Sequence, residues 1–503
     1  MTRAALTRNA AATPTPASRP DPRALRVACV AVLSALVFGV LLPVSPLTAV
    51  AALVVVPLAF GAPVAALSLL LAVTVLVPFE VQDRFSALGG SGRPGLLLVD
   101  VLLLLGLCRV AWLLLTRRLA LDGPLLAAAA VALVLAGAMA WGITHGAAVS
   151  EAGHETRRVL LGLGAFVLAW PVVHDPPARR WLEAALVALG LALGMWGLIQ
   201  WGFSIDYTSA ADVGIRRGVD LTSSGRGSLQ GGLYAYPLAV TLTWAVLVSG
   251  RVRSVPVRRL LAVILCLNAV CLWLTYERTF WVATAVACTV VVVMSGVHAR
   301  RIALRWAPIG AVALLVGLAA LAPGEVRTAV ERLLSVNRLE IDKSYEYRVI
   351  ESRLVLDEIS GRPLTGSGFG ATITWGKDDT FATMTTPFAH NGYLWLAWKI
   401  GVPAAAFLVL VIVAAVVRRG PPEEEWRMHT LRIGSRAALL ALLLTNITFP
   451  AFDALGVTAV MGLLIAVCWS GGPAGVRARP PSPPRDARPE PAPPPVRPRP
   501  GPR

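Results

Sequence analysis

"LLLVDVLLLLGLCRVAWLLL", residues 96–115, is apolar along almost its whole length, with Asp100 its clearest charge. Coiled as an α-helix, a run of this length crosses a hydrocarbon core of about 30 Å. The pattern recurs along the chain, with further runs at 24–43, 46–60, 63–78, 124–143, 157–173, 181–203, 233–250, 259–274, 279–297, 306–322, 390–417, 433–449 and 455–472. The short pair 46–60 and 63–78 fits two crossings or one re-entrant hairpin, so the sequence predicts 12 to 14 transmembrane helices. Either count returns both termini to the same side.

Composition agrees. The 503 residues are 56% hydrophobic and 15% charged, with a mean hydropathy of +0.67, whereas soluble domains carry roughly a quarter charged residues. The expected fold is therefore an all-α polytopic membrane protein. Of its 46 basic residues only Lys343, Lys377 and Lys399 are lysine, a bias that points to a GC-rich genome. With no soluble basic domain to present a groove, nucleic acid is not an expected partner. The six cysteines all lie inside apolar runs without metal-ligand spacing, as small hydrophobes.

Arginines orient the spans by the positive-inside rule. The N-terminal tail, Arg117–Arg118, Arg179–Arg180, "RVRSVPVRR" (251–259), "ARRIALR" (299–305), Arg418 to Arg432 and the tail beyond Arg477 all fall on one side, the expected cytoplasm. The chain thus divides into a disordered cytoplasmic tail (1–23), a helix bundle (24–322), a large extracytoplasmic loop with an amphipathic helix (323–388), C-terminal transmembrane helices (389–472) and a disordered Pro/Arg-rich cytoplasmic tail (473–503). The long loop holds ten acidic against eight basic residues, so its arginines are not topology determinants.

Three outer segments carry polar residues at odds with their surroundings: "GIRRGVDLTSSGRGSLQGGLYAYPLAV" (214–240) with Arg226, "LTYERTFWVA" (274–283) with Arg278, and "SYEYRVIESRLVLDEISGRPLTGSGFG" (344–370) with Arg348. The last reads as an amphipathic helix closed by Gly361 and Pro363. Guanidinium forks at the headgroup level suit phosphate oxygens, and Gly366, Gly368 and Gly370 offer backbone able to approach such a ligand closely. "AHNGYLWLAWKIG" (389–401) then sets His390 and Asn391 at the mouth of a span. Blander roles stay open. Arg278 could be an interface anchor, Arg348 could pair with Glu351 or Ser352 along its helix, and His390 could be a helix cap.

These segments resemble the O-antigen ligase superfamily, in layout from about Leu96 to Leu464 and most sharply over 344–401. The ordered set is Arg348, then "RPLTGSGFG", then "AHNGYLWLAWKIG", supported by the Arg278 turn and the Arg226 segment. Glu277 stands where the family usually has Ser, and the usual Pro-Asn after Arg226 is absent. The resemblance implies a metal-independent, inverting GT-C glycosyltransferase without a cofactor, at the outer face of a bacterial cytoplasmic membrane. Its donor would be a glycan on polyprenyl diphosphate, and its acceptor a hydroxyl on a glycan, lipid or protein. Arg278 and Arg348, with Arg226, would bind the diphosphate; His390 would act as general base; Asn391 would orient the turn, with Gly366, Gly368 and Gly370 in support. Competing readings are a protein O-glycosyltransferase, a peptidoglycan polymerase, an enzyme using polyprenyl monophosphate sugars through Glu80 and Asp83, and a flippase or transporter of lipid-linked saccharides. A transporter would use intramembrane charge, of which Asp100 is the clearest.

Overall fold

The computed structural model describes residues 55–77, 97–203, 234–275, 277–321, 327, 343–377, 382–421 and 424–470. Both expected tails, the first span at 24–43, the loop at 79–95 with Glu80 and Asp83, and Arg226 lie outside the described residues.

In chain order the helices are α1 (Pro63–Leu76), α2 (Leu98–Leu115), α3 (Gly123–Thr144), α4 (Val149–His174), α5 (Pro176–Gly202), α6 (Ala235–Val248), α7 (Val255–Leu274), α8 (Arg278–Met294) and α9 (Gly296–Leu321). There follow α10 (Lys343–Gly361), a hairpin of β1 (Ile373–Lys377) and β2 (Ala382–Thr386), α11 (Gly392–Ile400), α12 (Val402–Val417), α13 (Trp426–Thr445), a 3₁₀ turn (Ala451–Asp453) and α14 (Leu455–Trp469). Apolar runs become helices because a helix satisfies every backbone group within the segment, as a bilayer requires. Proline opens α1, α3, α5, α7 and α12, where its missing N–H costs nothing. Among the described residues, α2, α3, α4, α5 and α7 are long and apolar enough to span a membrane, and α1, α6, α8, α12 and α14 are shorter apolar helices. The protein is an all-α multi-pass membrane protein.

Several features depart from the sequence expectation. The run 390–417 is two helices, because Gly401 takes φ +82° and turns the chain between α11 and α12. Val402 N–H then donates to the Pro363 carbonyl (2.8 Å), and any side chain at Gly401 would strike the Leu364 carbonyl. The helix α4 starts at Val149, well before residue 157, and α9 absorbs the basic stretch 299–305. The antiparallel hairpin, registered Ile373↔Thr386, was not foreseen. Asp100 stands in the first turn of α2, where its carboxylate accepts from Leu97 N–H (2.8 Å) as a cap and Arg157 lies 3.4 Å away. A buried charge that sequence reading passed over is Arg109, within α2 and 6.0 Å from the Phe60 ring centroid.

Packing relies on close backbone approach, since lipid offers no hydrophobic drive between helices. The most extensive contact joins α4 to α14. There a Cβ on Gly462 would strike the backbone of Gly162, and one on Gly162 would strike the backbone of Thr458. Large side chains such as Trp395, Trp398, Phe280 and Phe369 are fully buried, while Leu126 and Leu133 of α3 and Phe407 and Leu410 of α12 face outward.

Two ends result. One gathers the α3–α4, α7–α8 and α13–α14 connections with α10, the hairpin and the start of α11. The other gathers the arginine-rich turns, where Arg179 pairs with Glu425, Arg427 with Glu183 (3.2 Å) and Arg432 with Glu424 (2.5 Å).

Candidate functional site

The first end is built around the turn that follows α10. Residues 366–370 thread between α11 and α3 through backbone bonds: Ser367 N–H to the Trp398 carbonyl (2.7 Å), Gly368 N–H to that of Lys399 (3.0 Å) and Phe369 N–H to that of Ala138 (3.3 Å). Gly370 N–H donates to Glu155 Oε2 (2.6 Å). Glu155 Oε1 in turn lies 2.9 Å from Lys399 Nζ, which also donates to the Ala371 carbonyl (2.6 Å). This pair is fully buried, and its geometry answers each charge. Gly368, at φ +85°, touches the backbone of Gly142 so closely that a Cβ cannot fit. The close approach expected of Gly366, Gly368 and Gly370 is therefore made to protein backbone, where it anchors α10 and the hairpin.

From that anchor the hairpin leads into His390. Asn391 caps α11, its side chain accepting from Tyr393 N–H (3.0 Å) and Leu394 N–H (3.1 Å). The cap is thus Asn391, and His390 is released from that duty. Both the backbone N–H of His390 (2.8 Å) and its ring Nδ1 (2.9 Å) meet one oxygen, Glu351 Oε2 on α10. Glu351 is buried, the imidazole is 39% exposed, and the Phe388 ring stands edge-on to it at 5.0 Å. Glu351 had been a possible partner for Arg348. Its carboxylate is instead occupied by His390.

One turn back on α10, the Arg348 guanidinium lies 5.5 Å from the ring centroid of Phe449. Its Nε is buried without a hydrogen-bond partner among the described residues. Phe449 also packs on Phe280 (5.3 Å) and Tyr234 (6.5 Å), and Thr448 Oγ1 donates to Thr279 Oγ1 (2.8 Å). The first turn of α8, which Arg278 opens, and the Arg348 helix therefore meet on one aromatic cluster. Arg278, Arg348 and His390 share this end of the bundle, whereas Arg226 falls outside the described residues.

Sequence reading missed a further cation. Arg158 Nη1 donates to Asp453 Oδ2 (2.7 Å) in the 3₁₀ turn just beyond Phe449, and the arginine side chain is one-third exposed. The signal was available in "HETRR" (154–158), three charged residues beside an apolar run. Glu155, Arg157 and Arg158 each reach a different element: α11, α2 and the 3₁₀ turn. Among the described residues, no three His, Cys, Asp or Glu side chains converge as metal ligands.

Residues 260–409 match the family model described as O-Antigen ligase, a span that includes Arg278, Arg348, Glu351 and His390. No curated protein matches the chain significantly.

Proposed function

We propose, from the match of residues 260–409 to the O-antigen ligase family model, that the chain moves a glycan from a polyprenyl-diphosphate carrier to an acceptor hydroxyl at the outer face of a bacterial cytoplasmic membrane. The observation that carries this reading is the meeting of the Arg278 turn, Arg348 and the Glu351-bonded His390 at the end of the bundle opposite the arginine-rich turns. In this mechanism Arg278 and Arg348, with Arg226, hold the diphosphate. They stabilise the charge that grows on it as the glycosidic C–O bond breaks. His390 takes the proton of the acceptor hydroxyl while the oxygen attacks the anomeric carbon from the opposite face, inverting it. Polyprenyl diphosphate leaves. No metal or cofactor has a part in this scheme, and the acceptor is a glycan, a lipid or a protein.

The test is purified full-length protein given a synthetic polyprenyl-diphosphate glycan and a panel of glycan, lipid and peptide acceptors in excess EDTA. Transfer to one acceptor class with release of polyprenyl diphosphate is expected. No transfer to any of them, or activity that chelation abolishes and magnesium or manganese restores, would overturn the scheme.

Orientation has its own check. In a cysteine-free background, Thr385→Cys beside His390 should react with an impermeant maleimide in whole cells, and Ser254→Cys at the start of α7 should not. Both positions are exposed, so the reverse labelling would put the site on the cytoplasmic side.

A further inference from the structure

We infer that Glu351 is the positioning residue for His390, setting which ring nitrogen carries the proton and stabilising the imidazolium that forms. The inference rests on the proposed role of His390 as base and assigns the group through which that role is tuned.

An ionised carboxylate only accepts hydrogen bonds. With Oε2 of Glu351 2.9 Å from Nδ1, the imidazole must carry its proton there, which leaves the Nε2 lone pair for the acceptor hydroxyl. The same oxygen receives the backbone N–H of residue 390 at 2.8 Å. One atom therefore fixes both the position of the residue and the tautomer of its ring. Asn391 takes over helix capping, so neither bond of His390 to Glu351 is needed to start α11. Burial adds to the effect. The carboxylate is 4% exposed, and a charge shielded from water acts more strongly on a neighbouring imidazolium than a solvated one.

The proton count closes. The acceptor O–H proton moves to Nε2 and the oxygen electrons form the new C–O bond. The electrons of the old C–O bond leave with the diphosphate. Glu351 gains no proton; it faces a neutral ring before transfer and a cationic one after it. Arg348 lies three residues earlier on the same helix. One rigid element thus carries both the diphosphate grip and the orienting carboxylate.

Two measurements on the full-length purified enzyme decide the matter. Glu351→Gln keeps an oxygen able to accept both N–H groups, removes the charge and turns the other carboxylate oxygen into an NH2 donor. It should lower kcat at least roughly tenfold, as weakening of an orienting carboxylate does, with donor affinity changed less than about threefold. The second is NMR of ¹⁵N-histidine-labelled protein, with the His390 signals identified by their loss in His390→Asn. The wild-type ring should show the Nδ1–H tautomer, and Glu351→Ala should shift it toward Nε2–H. A Glu351→Gln enzyme with unchanged kcat, or a wild-type ring in the Nε2–H form, would overturn the inference. If His390→Asn itself turns over normally, the base reading falls and takes the catalytic half of this inference with it. The tautomer shift would still decide the pairing.

Discussion

His390→Asn in the purified protein is expected to lower glycan transfer by roughly 10²-fold or more, the usual scale for a positioned general base. The expectation is sharp because the substitution changes little else. Asn391, not residue 390, caps α11, so the helix start is kept. The backbone N–H of residue 390 can still donate to Glu351, which anchors the turn. An asparagine amide fits the half-exposed position but cannot accept a proton near neutral pH, whereas imidazole can. Donor affinity, measured separately from turnover, should stay close to that of the wild type, since the proposed diphosphate grip lies on α8 and α10. Near-normal turnover would leave His390 as a structural link between α10 and α11, and the base would have to be sought elsewhere.

How much of this was legible beforehand depends on the physics each feature obeys. The spans could be read because hydrocarbon imposes one rule on every residue of a crossing, and the arginine-rich turns could be read because the rule for charge is equally general. Where local backbone decides, reading fell short. Nothing in the hydropathy of 390–417 marks Gly401 as a break; what makes it one is the Pro363 carbonyl waiting for Val402 N–H. Gly368 looked like a ligand contact because glycine signals close approach without saying to what. The approach is to Gly142. Ion pairs were hardest. Glu155 and Lys399 are 244 positions apart, and only the fold makes them neighbours at 2.9 Å. Glu351 illustrates the same limit. Along the helix its natural partner is Arg348, and the tertiary partner His390 took its place. By contrast, the histidine and two of the arginines of the proposed site stand in the sequence as ordered motifs, because the chemistry proposed for them is open to few residue types.

The arginines carry the other large effect. Arg348→Lys and Arg278→Lys are each expected to cost roughly 10²–10³-fold in kcat, the scale of losing one donor aimed at a developing charge, although charge is conserved. For Arg348 the geometry supplies the reason. Its guanidinium lies 5.5 Å from the Phe449 centroid, and a plane held there presents its N–H groups in a fixed direction. The buried Nε has no partner among the described residues, so the group arrives with hydrogen-bonding capacity unspent on the protein, which a phosphate oxygen can use. Lysine has no Nε, no plane to lie against Phe449, and a single point charge on a flexible stem. Arg278 opens α8 beside Thr279 and Phe280, which pack against Thr448 and Phe449, so its backbone is anchored to the same aromatic cluster. An arginine serving only as an interface anchor behaves differently, because lysine snorkels equally well and would restore nearly full activity. Turnover and donor affinity of both variants, measured on the same polyprenyl-diphosphate glycan, separate the two cases. Loss of both quantities identifies a fork on the diphosphate, loss of turnover alone identifies stabilisation confined to the transition state, and near-normal values in both variants would remove the arginines from the mechanism.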